Sequence, residues 1–472
     1  MLQVPIVLAL SVAVAVTQAT PTPPATQKPS TPPAAPTPAP QAPATPQAPL
    51  APPAVPLDTR VDASKITKVS PPALPSSLVQ PVPVAHRIAE RAEQVPVSAE
   101  SFKKAKAAID AGLAYLRRSQ RPSGAWMERE LVQPTDQPRA SAAAAAVTAM
   151  AVKAFLQAGQ DDANAQRGVQ FVVKALENGG YDGLANGGVG TYVASAVVSA
   201  LATTQDPRFE DMLRQGVAWL KTTQWDQSEG LAPDQDWFGG AGYGRNKRPD
   251  LSNTQLMLDA MYDAGVSPSD PAVQKALAFV ARAQNLPAKN DAAWAKAGSG
   301  DGGFIYTPAN GGESFASEVA GEGRFGEKFP EGAPRSLRSY GSMTYAGFKS
   351  LLYAGLSKDD ERVRAAFDWI SKHYTFDENP GLKQEGLYYY YHAMARALFV
   401  SQQPTIPSVA KDGSTTPKNW REDLIAAIVS RQQSDGSWVN TAERWEEGQP
   451  DLVTVYSILA LEEAIKPTLT TE

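Results

Sequence analysis

The chain has 472 residues, 44 Lys+Arg against 49 Asp+Glu for a formal net charge of −5, and no cysteine. The lack of cysteine removes disulfide frameworks, thiolate nucleophiles, thiolate metal sites and cysteine-borne lipid anchors. Lysine and arginine form no run beyond pairs such as Lys103-Lys104, so the basic footprint of a nucleic-acid-binding protein is missing.

At the N-terminus, Val4 to Val16 form an apolar run of secretory length that is short for a membrane span. Thr17-Gln18-Ala19 offers small residues for cleavage. Residues 1–19 therefore read as a signal peptide or, since no Lys or Arg precedes the run, as a signal-anchor that would tether the protein to a membrane. Residues 20–100 read as a disordered Pro/Ala-rich linker: 15 of the 40 residues from Pro21 to Arg60 are proline. Such a stretch lacks apolar bulk for a core and favours an extended, polyproline-like stalk. The rest of the chain is then expected outside the cytoplasm, periplasmic, at the cell surface or secreted.

From residue 101 a four-position register recurs six times. Ile109, Leu113, Leu116 and Gln120 stand at i, i+4, i+7 and i+11. The same spacing joins Val169, Val173, Leu176 and Gly180, and then Leu213, Val217, Leu220 and Gln224. It returns in Val273, Leu277, Val280 and Gln284, in Val363, Phe367, Ile370 and Tyr374, and in Arg421, Ile425, Ile428 and Gln432. These offsets draw one stripe along an α-helix. Each copy is followed by a second helical pattern, as in Thr148 to Gly159, Thr254 to Gly265 and Thr344 to Gly355, where the final glycine suits a left-handed C-terminal cap. Thr191 and Thr454 open two more, and Tyr391 fills the threonine slot in the fifth. These second helices are apolar around more of their circumference, which predicts burial. Six hairpins, each with an amphipathic outer and a buried inner helix, predict an all-α (α/α)6 toroid over 101–466. A long insertion occupies 286–339 and a tail 467–472.

Gln120 through Trp126 and Gln432 through Trp438 share the form Gln, three residues, Gly, one residue, Trp, with Asp301-Gly302-Gly303-Phe304 as a stretched variant. On these turns the chain resembles the terpene cyclase and protein prenyltransferase repeat family, squalene-hopene cyclases included. The resemblance implies the toroid. It also implies where chemistry would lie, at the start of the third inner helix, where the cyclases carry an Asp-x-Asp-Asp-Thr segment. Here Asp250 matches the first aspartate, but Ser252 and Asn253 replace the acids, and neither supplies a strong carboxylic proton. Protonation-initiated cyclisation is not expected. Asp250 and the nearby Asp236 remain the catalytic candidates. Asp250 has a structural alternative as a helix cap, since Pro249-Asp250-Leu251 recurs as Pro450-Asp451-Leu452. Family zinc ligands would include a cysteine, and His373, His392, Asp377 and Glu385 lack a two-histidine spacing on one helical face. No metal and no cofactor are expected.

The insertion ends in Arg335-Ser-Leu-Arg338-Ser-Tyr340, just before an inner helix. Two arginines there suit a phosphate or carboxylate, or they pair with Glu313, Glu318, Glu322 or Glu331. Aromatics gather at the same ends: Trp237, Phe238 and Tyr243, then Tyr340 and Tyr345, then Tyr388 to Tyr391 with His392. Four consecutive tyrosines point all round a helix, so at most two face a cavity. Trp237, Tyr243, Arg335, Arg338, Tyr340, Tyr345, Tyr390 and His392 form the expected ligand-binding set. The expected function is binding of an isoprenoid or other apolar ligand in a central cavity, without cyclisation. A glycan lyase or hydrolase-like toroid and an envelope interaction scaffold are the alternatives.

Overall fold

The computed structural model describes residues 87–127, 142–186, 188–317 and 337–468. The apolar N-terminal run, most of the proline-rich stretch and Arg335 lie outside them. Helices α1 (Ala99–Ser119), α2 (Ala142–Gln157), α3 (Ala163–Glu177), short α4 (Gly180–Ala185) and α5 (Gly190–Thr204) come first. Then follow α6 (Glu210–Lys221), α7 (Leu251–Asp263), α8 (Pro271–Arg282), short α9 (Ala293–Lys296) and α10 (Gly341–Tyr353). The last are α11 (Glu361–Lys372), α12 (Leu387–Ser401), α13 (Trp420–Val429) and α14 (Pro450–Ala464).

Helices α2, α5, α7, α10, α12 and α14 each pack on the next, and α14 packs on α2, so the inner ring closes. The outer helices lean on it: α1 on α14, α3 on α2, α6 on α5, α8 on α7 and α10, α11 on α10, α13 on α14. This is the expected (α/α)6 toroid. All of α10 except Leu352 is buried, whereas α6 buries only Gly216, Trp219 and Leu220. Aspartates cap several outer helices, Asp162 on α3 and Asp270, before Pro271, on α8. The chain packs before residue 101, with Ile88, Ala89 and Val95 buried in the main core. A two-stranded hairpin, β1 (Ile406–Val409) against β2 (Thr415–Lys418), interrupts the helical path after α12.

Gly159, Gly265 and Gly355 end their helices at φ 72°, 73° and 84°, as expected. Where glycine is missing, Gln205 and Gln402 take the left-handed cap at φ 53°.

The glutamine turns do more than reverse the chain. Gln120 Nε2 donates to Gly124 O in its own turn and to Asn164 O in the next outer helix, both at 2.9 Å. Gln224 bridges Gly239 O and Ala272 O, each at 2.9 Å. Gln284 bridges Gly302 O and Arg362 O, each at 2.8 Å. Gln432 bridges Gly436 O (3.0 Å) and Ala108 O of α1 (2.9 Å), joining the last outer helix to the first. Two tyrosines serve the junctions without glutamine. Tyr181 Oη donates to Met212 O at 3.1 Å and Tyr374 Oη to Asp423 at 2.9 Å. Every neighbouring pair of outer helices is thereby stapled. The turn glycines lie against the stapled helix: a Cβ at Gly124, Gly239, Gly302 or Gly436 would stand 2.5, 1.8, 2.5 or 2.4 Å from a carbonyl oxygen of it.

Gly239→Ala and Gly159→Ala separate contact from conformation. Both positions have φ near 80° or 72°, but nothing lies within 4 Å of a Cβ at Gly159. Gly159→Ala should cost about 1 kcal/mol of backbone strain and Gly239→Ala clearly more, read as denaturant midpoints. Equal losses would mean that the turn's approach to α8 does not matter.

Candidate functional site in the toroid lumen

In five of the six inner helices a threonine sets the helix's rotation. Thr148, Thr254, Thr344 and Thr454 each accept, through Oγ1, the N–H of a turn residue: Trp126, Ala241, Phe304 and Trp438, at 3.0 to 3.1 Å. Thr191 Oγ1 donates to Gly242 O at 2.6 Å. With that face turned to the outer wall, residues two before and two, five and nine after the threonine point the opposite way, at about 100° per residue. Those positions line the lumen in two tiers.

The lower tier is ionic. Lys153 of α2 pairs with Asp263 of α7 across the ring. Arg396 of α12 pairs with the same Asp263 and with Glu463 of α14 (3.0 Å). Lys349 of α10 pairs with Asp259, which also accepts from Tyr353 Oη at 2.8 Å. Arg396 Nε donates to Tyr353 Oη at 2.9 Å and Lys466 Nζ to Glu463 at 2.6 Å. Inner helices that the sequence pattern marks as apolar nearly all round therefore carry charge on the one face that meets no neighbour.

The upper tier is aromatic and polar. Tyr192 stacks on Tyr243 with centroids 5.8 Å apart, His392 on Tyr456 at 5.5 Å, and Tyr389 meets Tyr456 at 6.1 Å. Gln255 Nε2 donates to Tyr389 Oη at 3.0 Å and the hydroxyls of Tyr243 and Tyr306 lie 3.3 Å apart. Ala146, Met150 and Ala196 form an apolar arc on α2 and α5. Tyr192, Tyr243, Tyr389, His392, Tyr456 and this arc are all partly uncovered. Since protein surrounds them, they border an open basin rather than a filled core. Gln255 Oε1 and His392 Nδ1 are buried there with no hydrogen-bond partner. Burial and the Lys349 and Lys153 charges push the His392 pKa down to about 3, so its ring is neutral.

Two buried carboxyls stand at the mouth, and both cap helices. Asp250 is the N-cap of α7. Its Oδ1 accepts from Ser252 Oγ (2.6 Å) and Asn253 N (2.8 Å), and its Oδ2 from Asn253 Nδ2 (2.8 Å). Burial raises its pKa against those hydrogen bonds. Glu447 serves α12, whose own N-cap, Gly386, has no side chain. Tyr389 N donates to Oε1 (2.7 Å), Tyr388 N and Asn440 Nδ2 to Oε2 (3.3 and 2.7 Å). Burial pushes the Glu447 pKa up to about 7. With their oxygens occupied, these acids hold the basin's rim. Asp451 does not repeat the capping role of Asp250: α14 starts at Pro450, two residues earlier in the repeat, and Asp451 Oδ2 accepts from Met127 N at 3.0 Å.

Of the expected ligand set, Tyr243 and His392 reach the basin. Tyr340 is buried beside Phe315, and Tyr345 packs edge-on against Tyr390. Tyr390 faces the wall and donates to Thr375 O at 2.8 Å. Trp237 sits against Trp225, 4.8 Å away, with its Nε1 3.3 Å from Asn310 Oδ1, and Asp236 pairs with Arg282. Arg338 is half-buried, its carbonyl accepting from Ser314 Oγ. His373 stacks on Trp369 at 3.9 Å. Among the described residues no three or more His, Asp or Glu side chains gather to hold a metal. A groove of about 490 Å³ on the outer wall, beside Val363, Phe367 and Arg364, is separate from the lumen.

No family model and no curated protein matches the sequence. Among solved structures, the chain is similar to the GH76A α-1,6-mannanase from Salegentibacter sp. HEL1_6 (9% identity, 76% of this chain and 99% of that chain, TM-score 0.44). It is also similar to the type II terpene cyclase MstE from Scytonema (12% identity, 78% and 99% covered, TM-score 0.31). At this level the likeness concerns the path of the helices alone.

Arg396→Met would leave Asp263 and Glu463 short of a counter-ion in the interior, at a cost of about 3–5 kcal/mol in urea unfolding. Exposed Arg208→Ala should leave stability nearly unchanged. Glu447 binds its proton more tightly when folded, so it makes stability fall as pH rises from about 4.5 to about 7 and no further above. Glu447→Gln should flatten that part of the stability–pH curve.

Proposed function

We propose that this protein is an extracytoplasmic toroid that binds a carbohydrate in its central basin and does not transform it. The observation that carries this is the basin's lining: every partly uncovered ring in it has a polar handle, and two buried polar atoms there lack partners. Sugars present apolar faces to aromatic rings and hydroxyls to polar atoms, matching the tyrosine wall and the apolar arc. An isoprenoid would seal those atoms away unpaired, at about 1–3 kcal/mol each. Both mouth carboxyls are engaged in capping, which supports binding over hydrolysis. The apolar run from Val4 to Val16 and the proline-rich stretch support export.

Replacing hydroxyls while keeping rings decides between the ligands. Tyr192→Phe and Tyr389→Phe should each weaken glycan binding to the full chain by about 5–10-fold, the worth of one hydrogen bond, measured by calorimetry. Trp237→Ala, outside the lumen, should not. Recovery of a polyprenyl lipid by mass spectrometry of the purified protein, with binding tightened in the Phe variants, would reverse the assignment.

A further inference from the structure

Two successive non-glycine residues at the mouth, Trp445 and Glu446, hold left-handed backbone at φ 59° and 65°. Bulky residues seldom adopt that conformation, and where the surroundings impose it the place is often a ligand clamp. The neighbours fix Trp445 closely. A Cβ at Gly386, just before α12, would stand 3.0 Å from the indole ring. Phe315 lies 5.5 Å from that ring, and the Arg444 guanidinium sits 4.5 Å over it. Arg444 pairs in turn with Glu385 at 2.8 Å, the two side chains being 33% and 36% exposed. An ion pair so open to water adds little stability.

This cluster adjoins the basin on two sides. Phe315 packs on Tyr306 at 4.5 Å, and the Tyr306 hydroxyl lies 3.3 Å from that of Tyr243, which borders the basin. Two residues after Trp445, Glu447 holds the N–H of Tyr389, another basin ring. Trp445 is itself partly uncovered. The other partly uncovered tryptophans have committed their indole N–H groups, Trp225 to Lys247 O at 2.7 Å and Trp237 to Asn310 Oδ1 at 3.3 Å. Among the described residues, Trp445 Nε1 donates to none. An indole N–H, a guanidinium and a carboxylate thus stand together at the rim, able to give hydrogen bonds to hydroxyls and to accept them. Below the basin the ionic tier forms a floor that fills the lumen, so a ligand longer than the basin leaves through the mouth.

We infer that the protein binds a sugar chain rather than a single sugar, with one terminal unit in the basin and the following units across the rim, against Trp445, Arg444 and Glu385. This rests on the carbohydrate reading and extends it to units that the basin does not hold.

The test is a chain-length series on the full chain: gluco-, manno-, xylo- and chito-oligosaccharides of one to four units, measured by calorimetry. In at least one series affinity should rise about tenfold from one unit to three, or about 1.4 kcal/mol. Trp445→Ala should bring the three-unit affinity down to that of one unit. Trp445→Phe keeps a ring beside Gly386 but no N–H, and should lose part of the gain, which guards against simple misfolding. Tryptophan emission gives a second reading, because no tryptophan borders the basin. The three-unit sugar should change it, the single sugar should not, and the change should vanish in Trp445→Phe. Affinity independent of length in every series that binds, or a gain that survives Trp445→Ala, would overturn the inference and leave the carbohydrate reading standing. Binding of no member of any series would overturn both.

Discussion

The lumen exists because each outer helix is fastened to the next by side chains that reach across the junction. In four junctions a glutamine amide spans its own turn and the neighbouring helix, and in two a tyrosine hydroxyl does the work. A ring of helix pairs has no intrinsic reason to close, since each pair contacts only its neighbours. The Gln432 bond to Ala108 makes the sixth junction chemically the same as the first. The adjacent glycines enforce the spacing, because any side chain there would meet the next helix's backbone.

Closure at the perimeter fixes rotation at the centre. The turn that the glutamine organises also presents the N–H that the inner-helix threonine accepts, so one connection sets both the outer spacing and the inner helix's facing. The trigonometry of the helix then assigns the lumen. Position five after the threonine is Lys153 in α2, Asp259 in α7 and Lys349 in α10, and position nine is Asp263 in α7, Tyr353 in α10 and Glu463 in α14. Charges that look scattered along the chain are one tier in space.

That register explains what was legible and what was not. The toroid follows from periodicity alone, as do the glycine caps. Within the site, His392 and Tyr243 could be found, yet Tyr390 was matched with His392 although the two stand about 200° apart on a helix. Tyr389, three residues before His392, shares its face. Tyr456, two residues after Thr454, follows the lumen register, whereas Tyr192 stands one residue after Thr191, as Tyr345 does after Thr344, and is not distinguished from it by position. Other features had no local signal. Arg421 looks like a defect in its repeat, but its Nη1 donates to the carbonyls of Glu463, Ala464 and Lys466 and so closes the end of α14. Glu447 caps a helix that starts sixty residues earlier in the chain, and Asp236 and Trp237 turn outward because Arg282 and Trp225 hold them there. Partners distant in sequence decided each of these.

The floor poses a final question of physical economy. Buried ion pairs are seldom more stabilising than apolar packing of equal volume, so a toroid needing only a plug would do as well with leucine and phenylalanine. What an apolar plug cannot do is hold fixed charges of both signs beneath the tyrosine tier. Here the charges span α2, α7, α10, α12 and α14 and are fixed by one another's geometry. Their arrangement is held by the pairs themselves and by the helices that carry them. The tyrosine tier above lends shape and hydrogen bonds but no charge of its own.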